Sequence, residues 1–369
     1  MPSWDFVVVG GGPAGLAVAM EAVRAGASAL VVERGRGAVD KACGEGLMPA
    51  GVAALQRLGV APPAWGTHPF RGIRYIDGEV VAEAHFVDGT GLGVRRLALS
   101  EAMEARADAL GVERWAGTEA LGWRETASGV ELDTSRGTVS GRWLVGADGL
   151  HSRVRREAGF EVTTRPGRRL GIRRHFAVRP WADVVEVWWG DGVEAYVTPV
   201  GPERVGVAFL WSGGKGDYET FLGRFPALAA RLGPVESALR GAGPFDVRVA
   251  TRHRGRVLLA GDAGGYVDAI TGEGISLALH AAPALVASAL AGRPEAWTTA
   301  ADALHARHVR FTRLLLATTR RPWLRRRLVR ALRRFPAGFE AFLAYNSGAW
   351  PAWRALPGMS TVGVGLLTG

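Results

Sequence analysis

The chain has 369 residues, 48% of them hydrophobic, and a formal net charge of +10; it is long enough for two lobes around a sizeable core and too apolar for a disordered segment. No stretch reaches about eighteen uninterrupted apolar residues, so no membrane-spanning helix is expected. Cys43 is the only cysteine, which excludes an intrachain disulfide and fits a reducing, cytoplasmic setting. Lys41 and Lys215 are the only lysines; the arginine-borne charge is assigned chiefly to a solvated surface, the remainder to anionic cofactor phosphates or a membrane surface.

Phe6-Val7-Val8-Val9 is a short apolar run of the kind that forms a buried parallel strand. It lacks a preceding basic segment and is too short for a signal peptide, so none is expected. Glycines follow, then a helix from Leu16 to Ala25 closed by Gly26, then a second strand, Ala29 to Glu33. Arg71 to Phe86 alternates around Asp77-Gly78 and reads as a hairpin. Leu99 to Leu110 is helical. Val130 to Val145 reads as strands broken at Gly137 and Gly141, and Glu186 to Trp189 and Ala195 to Trp211 read as sheet. Val257 to Ala260 is another buried strand, Ile275 to Leu290 a helix, and from Trp297 onward the chain is mostly helical and basic.

Gly10, Gly12 and Gly15 form G-x-G-x-x-G between the first strand and its helix. The first glycine permits the tight turn, the second a close approach of backbone to pyrophosphate, the third close packing of helix on strand. Unpaired N–H groups at the helix start then meet the phosphates. Glu33 closes the second strand where a ribose-binding acid is expected, and its charge repels a 2′-phosphate. This unit alone fits NAD or FAD. Two further turns select FAD: Gly146-Ala147-Asp148-Gly149-Leu150-His151-Ser152-Arg153-Val154-Arg155, and Gly261-Asp262-Ala263-Gly264-Gly265 leading through Thr271-Gly272-Glu273-Gly274-Ile275 into a helix. Each follows an apolar strand. An acid there can receive a ribityl hydroxyl, and the next helix start can face a flavin pyrimidine edge.

At these residues the sequence resembles the flavoprotein superfamily of aromatic hydroxylases (group A flavin monooxygenases) and geranylgeranyl reductases, over roughly residues 1 to 300. The resemblance implies a Rossmann-like, para-hydroxybenzoate-hydroxylase-like α/β FAD domain, an inserted β-sheet substrate domain and a helical C-terminus. It divides the chain into FAD-domain segments at 1–70, 95–160 and 251–300, a substrate-domain hairpin at 71–94, a substrate sheet at 161–250, and a basic helical region at 301–369. It assigns cofactor contacts to Gly10, Gly12, Pro13, Ala14, Gly15, Glu33, Arg34, Cys43, Gly44, Arg96 (in preference to Arg95), Asp148, Gly149, Gly261, Asp262, Gly272, Gly274 and Ile275. Lys41 to Pro49 resembles the reductase branch's Cys-Gly loop beside the isoalloxazine, and Thr271 to Ile275 its loop under the flavin ring. That branch's Tyr-x-Trp-x-Phe-Pro strand is incomplete at Glu194 to Pro199, the halogenase Trp-x-Trp-x-Ile-Pro is absent, and Ala269 or its neighbourhood replaces the loop proline of the hydroxylases.

Two chemistries stay open. The first is monooxygenation of a bulky apolar small molecule through a flavin C4a-hydroperoxide protected in a dry pocket; it is favoured because most of the superfamily works this way. The second is hydride transfer to a carbon–carbon double bond, with Cys43 or Glu45 as the catalytic acid. A third alternative is a flavoprotein that modifies or partners another protein. No second nucleotide fingerprint is seen, so electrons are expected from NAD(P)H docking transiently or from a donor protein. Trp188, Trp189, Tyr196, Phe209 and Trp211 are the candidate substrate wall. No residues have metal-ligand spacing; His151, His175, His253 and His280 read as structural. Arg320 to Arg334 is amphipathic and basic: either a helix packed on the body with arginines in water, or a peripheral membrane contact. No nucleic-acid motif is present.

Overall fold

The computed structural model describes residues 3–164 and 169–368. Ser3–Val9 (β1) ends in four residues buried on both faces, as a covered parallel strand requires. Pro13–Arg24 (α1) begins three residues before Leu16, because proline's fixed φ suits a first helical turn. Ala29–Glu33 (β2) lies parallel to β1. Pro49–Leu58 (α2) was not foreseen. Gly72–Asp77 (β3) and Val80–His85 (β4) form the expected hairpin. Arg96–Ala109 (α3) is followed by Glu113–Ala116 (β5), Val130–Thr134 (β6) and Gly137–Gly146 (β7). The break expected at Gly141 does not occur: it lies within β7, where a Cβ would come 2.6 Å from Val7 Cγ2, so glycine there serves close packing of β7 on β1.

Beyond the short helix Arg153–Glu157 (α4), the chain enters Arg169–Ala177 (β8), Val185–Trp189 (β9), Val193–Gly201 (β10) and Arg204–Ser212 (β11). Two short helices, Tyr218–Gly223 (α5) and Pro226–Ala229 (α6), cover these strands. The chain returns through Val257–Leu259 (β12) to Gly274–Leu290 (α7), Glu295–Thr319 (α8), Pro322–Arg334 (α9), Pro336–Ser347 (α10) and Ala352–Thr368 (α11).

Two large sheets organise the described residues. In the first, β12, β7, β1, β2 and β5 are neighbours in that order and all parallel, with Val9 level with Gly146 and Val32, and Gly146 level with Leu259. One face packs on α1, α3 and α7 around Leu16, Met20, Leu99, Leu279 and Leu285. The other packs on Val154 and Phe160. The second sheet runs β8-β11-β10-β9-β3-β4 and is antiparallel except where β9 meets β3. Its back face, with Val207, Phe209 and Trp211, is covered by Tyr218, Phe221 and Phe225; its front face, with Tyr75, Val187 and Trp189, meets Ile270 and the C-terminal helices. The fold is thus the expected α/β FAD-domain architecture with an added sheet and a helical C-terminus.

The basic helix α9 is docked. Leu328, Val329 and Leu332 are buried in the front-face core. Arg325, 2% exposed, donates to Asp77 Oδ2 at 2.9 Å, to the Gly190 carbonyl at 2.9 Å and to Asp191 Oδ1 at 3.0 Å. Breaking such a buried pair from one side leaves an uncompensated carboxylate and costs about 3–5 kcal/mol. Arg325→Ala is therefore expected to lower unfolding stability by about that amount in urea titration; a change below about 1 kcal/mol would show that α9 is held by its apolar face alone.

Candidate functional site

The level strand ends bring four turns to one edge. Gly10, at φ 111°, has its Cβ position 2.4 Å from the Ala147 carbonyl oxygen, so only glycine lets the first turn lie against the second. Gly15 sits with its Cβ position 1.9 Å from the Gly10 oxygen, which fixes α1 against β1. Gly261, at φ 56°, has its Cβ position 2.6 Å from Ala14 Cβ, pressing the third turn onto the first helix. The ligand crevice of a parallel α/β sheet lies at this edge, outside the carboxyl ends of the strands.

Glu33 reaches across from β2. Its Oε2 accepts from the Gly11 N–H at 2.7 Å and its Oε1 from the Gly35 N–H at 2.8 Å. Each oxygen keeps acceptor capacity for a ribose hydroxyl. A small cavity beside it is lined by Gly11, Val31, Gly35, Glu104 and Arg114. Arg34 follows on the exposed side of the strand end. Arg96 is buried, and its Nη2 lies 3.8 Å from the Cβ position of Gly12, so its charge faces the glycine turn. The neighbouring Arg95 turns to His175 instead.

Asp148 is used internally. Its carboxylate accepts from Ser152 Oγ at 2.5 Å and from the Arg153 and Val154 N–H groups at 2.6 and 3.1 Å, capping α4, while Gly149 makes the turn at φ 86°. The Asp148-Gly149 pair thus shapes the turn that Gly10 touches. Asp262 makes no such cap. Burial pushes its carboxyl up, while Lys41, Arg96 and Arg155 pull it down. Arg155 closes the second glycine-and-acid motif, whose pattern gives it no task. Its guanidinium, 7% exposed, donates to the Leu150 carbonyl at 2.7 Å and to the Ala263 carbonyl at 3.0 Å, tying the second turn to the third.

The 40–46 loop is clamped between the lobes. Glu45 sits at φ 59° and is buried; its Oε1 accepts from the Arg96 N–H at 2.8 Å, its Oε2 pairs with His175 Nε2 at 2.5 Å, and Arg173 lies 3.6 Å away. Arg173 also pairs with Asp40, and Thr198 Oγ1 donates to the Gly44 carbonyl at 2.8 Å. Glu45 is therefore occupied in positioning the loop and does not stand as a free proton donor. Cys43 on the same loop is half-buried; burial pushes its thiol up, so it stays protonated at neutral pH.

Of the proposed substrate wall, the structure brings Trp189 and Tyr196 to the front face, where the Tyr196 hydroxyl donates to Glu194 Oε1 at 3.0 Å or to the Ile270 carbonyl at 3.1 Å. Trp188, Phe209 and Trp211 belong to the back-face core. The correction follows from the period of two along a strand: Val205, Val207, Phe209 and Trp211 share one side, opposite Tyr196. Sequence reasoning missed Tyr75 and Val187, which share the face of Trp189 and Tyr196, and missed Tyr266, whose ring lies 3.1 Å from the Cβ position of Gly274.

Gly272, at φ 67°, and Gly274 place the start of α7 beside Tyr266, and no side chain caps that helix start. The first-turn N–H groups of Gly274 and Ile275 can thus meet an anionic edge. Glu273 turns away into the helical region, accepting from Asn346 Nδ2 at 2.7 Å with His308 Nδ1 3.9 Å from its other oxygen.

Taken together, the turns, the arginine facing the second glycine, the acid on the second strand and the uncapped helix start fit one extended dinucleotide carrying a redox ring. Gly10, Gly12, Gly15 and α1 would hold its pyrophosphate, Glu33 its ribose, Asp262 its ribityl side, and Gly274 with Ile275 the flavin edge. Fold and site define an FAD-dependent oxidoreductase. The chain belongs to the FAD binding domain family, which matches residues 3–190. It is 29% identical over 342 residues to a menaquinone reductase of Mycolicibacterium smegmatis, covering 82% of this chain and 81% of that one. It is 28% identical over 306 residues to digeranylgeranylglycerophospholipid reductase 1 of Methanopyrus kandleri, covering 75% and 77%. Among solved structures, a flavoprotein/dehydrogenase from Cytophaga hutchinsonii superposes with a TM-score of 0.78 at 17% identity, covering 94% of this chain and 93% of that one. A probable FAD-dependent monooxygenase from Pseudomonas aeruginosa gives 0.73 at 21% identity, covering 87% and 98%. These two show the shared fold.

Glu33→Ala removes a charged acceptor from the ribose and frees the Gly11 N–H; a charge-assisted hydrogen bond is worth roughly 1.5–3 kcal/mol. FAD affinity, read by flavin fluorescence, is expected to fall about tenfold or more, and unchanged affinity would remove Glu33 from the site. Burial pushes Glu273 up to about 8 from its ordinary 4.5, with Arg307 pulling down and Asp88 pushing up. Between those values the unfolded chain has released a proton that the folded protein retains, so stability falls as pH rises. Glu273→Gln is expected to flatten that fall between about pH 5 and 8 in urea titrations; an unaltered slope would locate the effect elsewhere.

Proposed function

We propose that the protein reduces carbon–carbon double bonds in a long, apolar isoprenoid lipid, with Cys43 as the proton donor. The observation that carries this is the length of the likeness: two reductases, of a quinone and of a geranylgeranyl-bearing lipid by their names, align over three quarters or more of the chain. The front face of the second sheet is apolar: Ile73, Tyr75, Val187 and Trp189, with Met48, Phe70 and Ile270, are buried there together with residues of the C-terminal helices.

FAD, once bound and reduced, would supply a hydride equivalent. The protein's share is to hold a proton where the second hydrogen must arrive and to keep that place dry. The protonated thiol of Cys43 lies on the loop that Glu45, Arg173 and Thr198 hold in place. NAD(P)H docking transiently, or a donor protein, would reduce the flavin. The aromatic-hydroxylase chemistry favoured by the sequence alone is the competing reading, and oxygen dependence separates the two.

The test is single turnover under anaerobic conditions, with chemically reduced holoenzyme and a polyprenyl quinone or geranylgeranyl lipid, read by mass spectrometry. Two hydrogens gained per turnover without oxygen are expected. No reaction until oxygen is admitted, with an oxygen atom gained, would replace this function with monooxygenation. Cys43→Ser is expected to retain FAD while slowing the step at least about tenfold; an unchanged rate would move the proton donor elsewhere.

A further inference from the structure

The charge of this chain is concentrated at one end. Residues 303–369 hold twelve arginines and one acid, Glu340, a net +11 against +10 for the whole chain, so the remainder is slightly acidic. Only part of this charge is engaged internally. Arg325 is buried against Asp77 and Asp191, and Arg326 lies 3.7 Å from Asp191. Arg330, Arg333 and Arg334 lie on the exposed side of α9, a helix without an acid of its own.

Exposed apolar groups gather in the same region. Seven large hydrophobic residues among those described are more than half exposed, and six of them are Leu314, Trp323, Trp353, Leu356, Val364 and Leu367. Trp353, Leu356, Val364 and Leu367 recur along α11 at helical spacing and form one outward stripe, while Ala355, Val362 and Gly365 face inward. Gly365 rests on Ala331, its Cβ position 2.9 Å from Ala331 Cβ, so α11 lies directly against α9. An apolar stripe thus runs beside an arginine row, with tryptophans at two helix starts.

We propose that α9 and α11 form a docking surface for an anionic lipid bilayer. Arginines meet the headgroups, Trp323 and Trp353 sit at the headgroup level, and Leu356, Val364 and Leu367 enter the acyl boundary. Charge complementarity selects this occupant: a second copy would bring its own exposed arginines to the same face. No helix among the described residues is long and apolar enough to cross a membrane, so the contact is peripheral. It stands on exposure and charge, independently of the reaction proposed above.

The experiment is flotation of the FAD-loaded protein with vesicles of phosphatidylglycerol and phosphatidylcholine, or of phosphatidylcholine alone, at low and high salt. Binding is expected to the anionic vesicles and to weaken at high salt. The triple variant R330E/R333E/R334E is expected to bind on the order of a hundredfold more weakly, and W353A/L356A to bind more weakly at both salt concentrations. These side chains are exposed, and retained flavin content and circular dichroism show that the variants fold. Lack of binding to anionic vesicles, or binding that neither variant alters, overturns the proposal. So does sedimentation showing a dimer that W353A/L356A dissociates, since a second copy would then cover the face.

Discussion

Three backbone turns share a space too narrow for side chains, and everything in the cofactor lobe depends on it. Gly10 meets the Ala147 carbonyl, Gly15 meets the Gly10 carbonyl, and Gly261 meets Ala14. These approaches require that β1, β7 and β12 end level, which the parallel register ensures. Arg155 then ties two of the turns through their carbonyls. The result is a concave edge of N–H groups, one inward-facing arginine and one uncapped helix start, with Glu33 at the far end. An extended anionic cofactor answers all of these at once.

A second constraint joins the two lobes. The 40–46 loop leaves the cofactor lobe, and its Glu45 is gripped by the start of α3 on one side and by His175 and Arg173 of β8 on the other. A carboxylate in this buried setting is worth most as a fixed acceptor among donors, because leaving those donors unpaired is costly. Cys43 therefore owes its position to Glu45, and the chemical and structural parts of one short loop are divided between neighbouring residues.

The cofactor lobe was legible in the sequence because its signals are local. Apolar runs ending in glycines, with acids at set distances, name both the element and its task. The second lobe was less legible. Arg169–Ala177 was not recognised as a strand, because Arg169, Arg173 and His175 interrupt the apolar alternation; each is buried only through partners far along the chain, Glu194, Asp40 and Glu45. Three members of the aromatic wall, Trp188, Phe209 and Trp211, face the other way for a related reason. Composition picks out Phe209 and Trp211, but only the register with α5 and α6 decides that they face away from Tyr196. Helix α9 was recognisable as amphipathic, yet the burial of Arg325 depends on Asp77, some 248 residues earlier in the chain.

If the turns form one cofactor cradle held by contacts between them, Arg155→Met should loosen it, since the substitution keeps the bulk of the side chain and removes the donors that join the second and third turns. Measured by flavin fluorescence on protein whose circular dichroism is unchanged, FAD affinity is predicted to fall at least about tenfold, the loss expected from hydrogen bonds to a charged group. A variant that folds and binds FAD as tightly as the parent would contradict it.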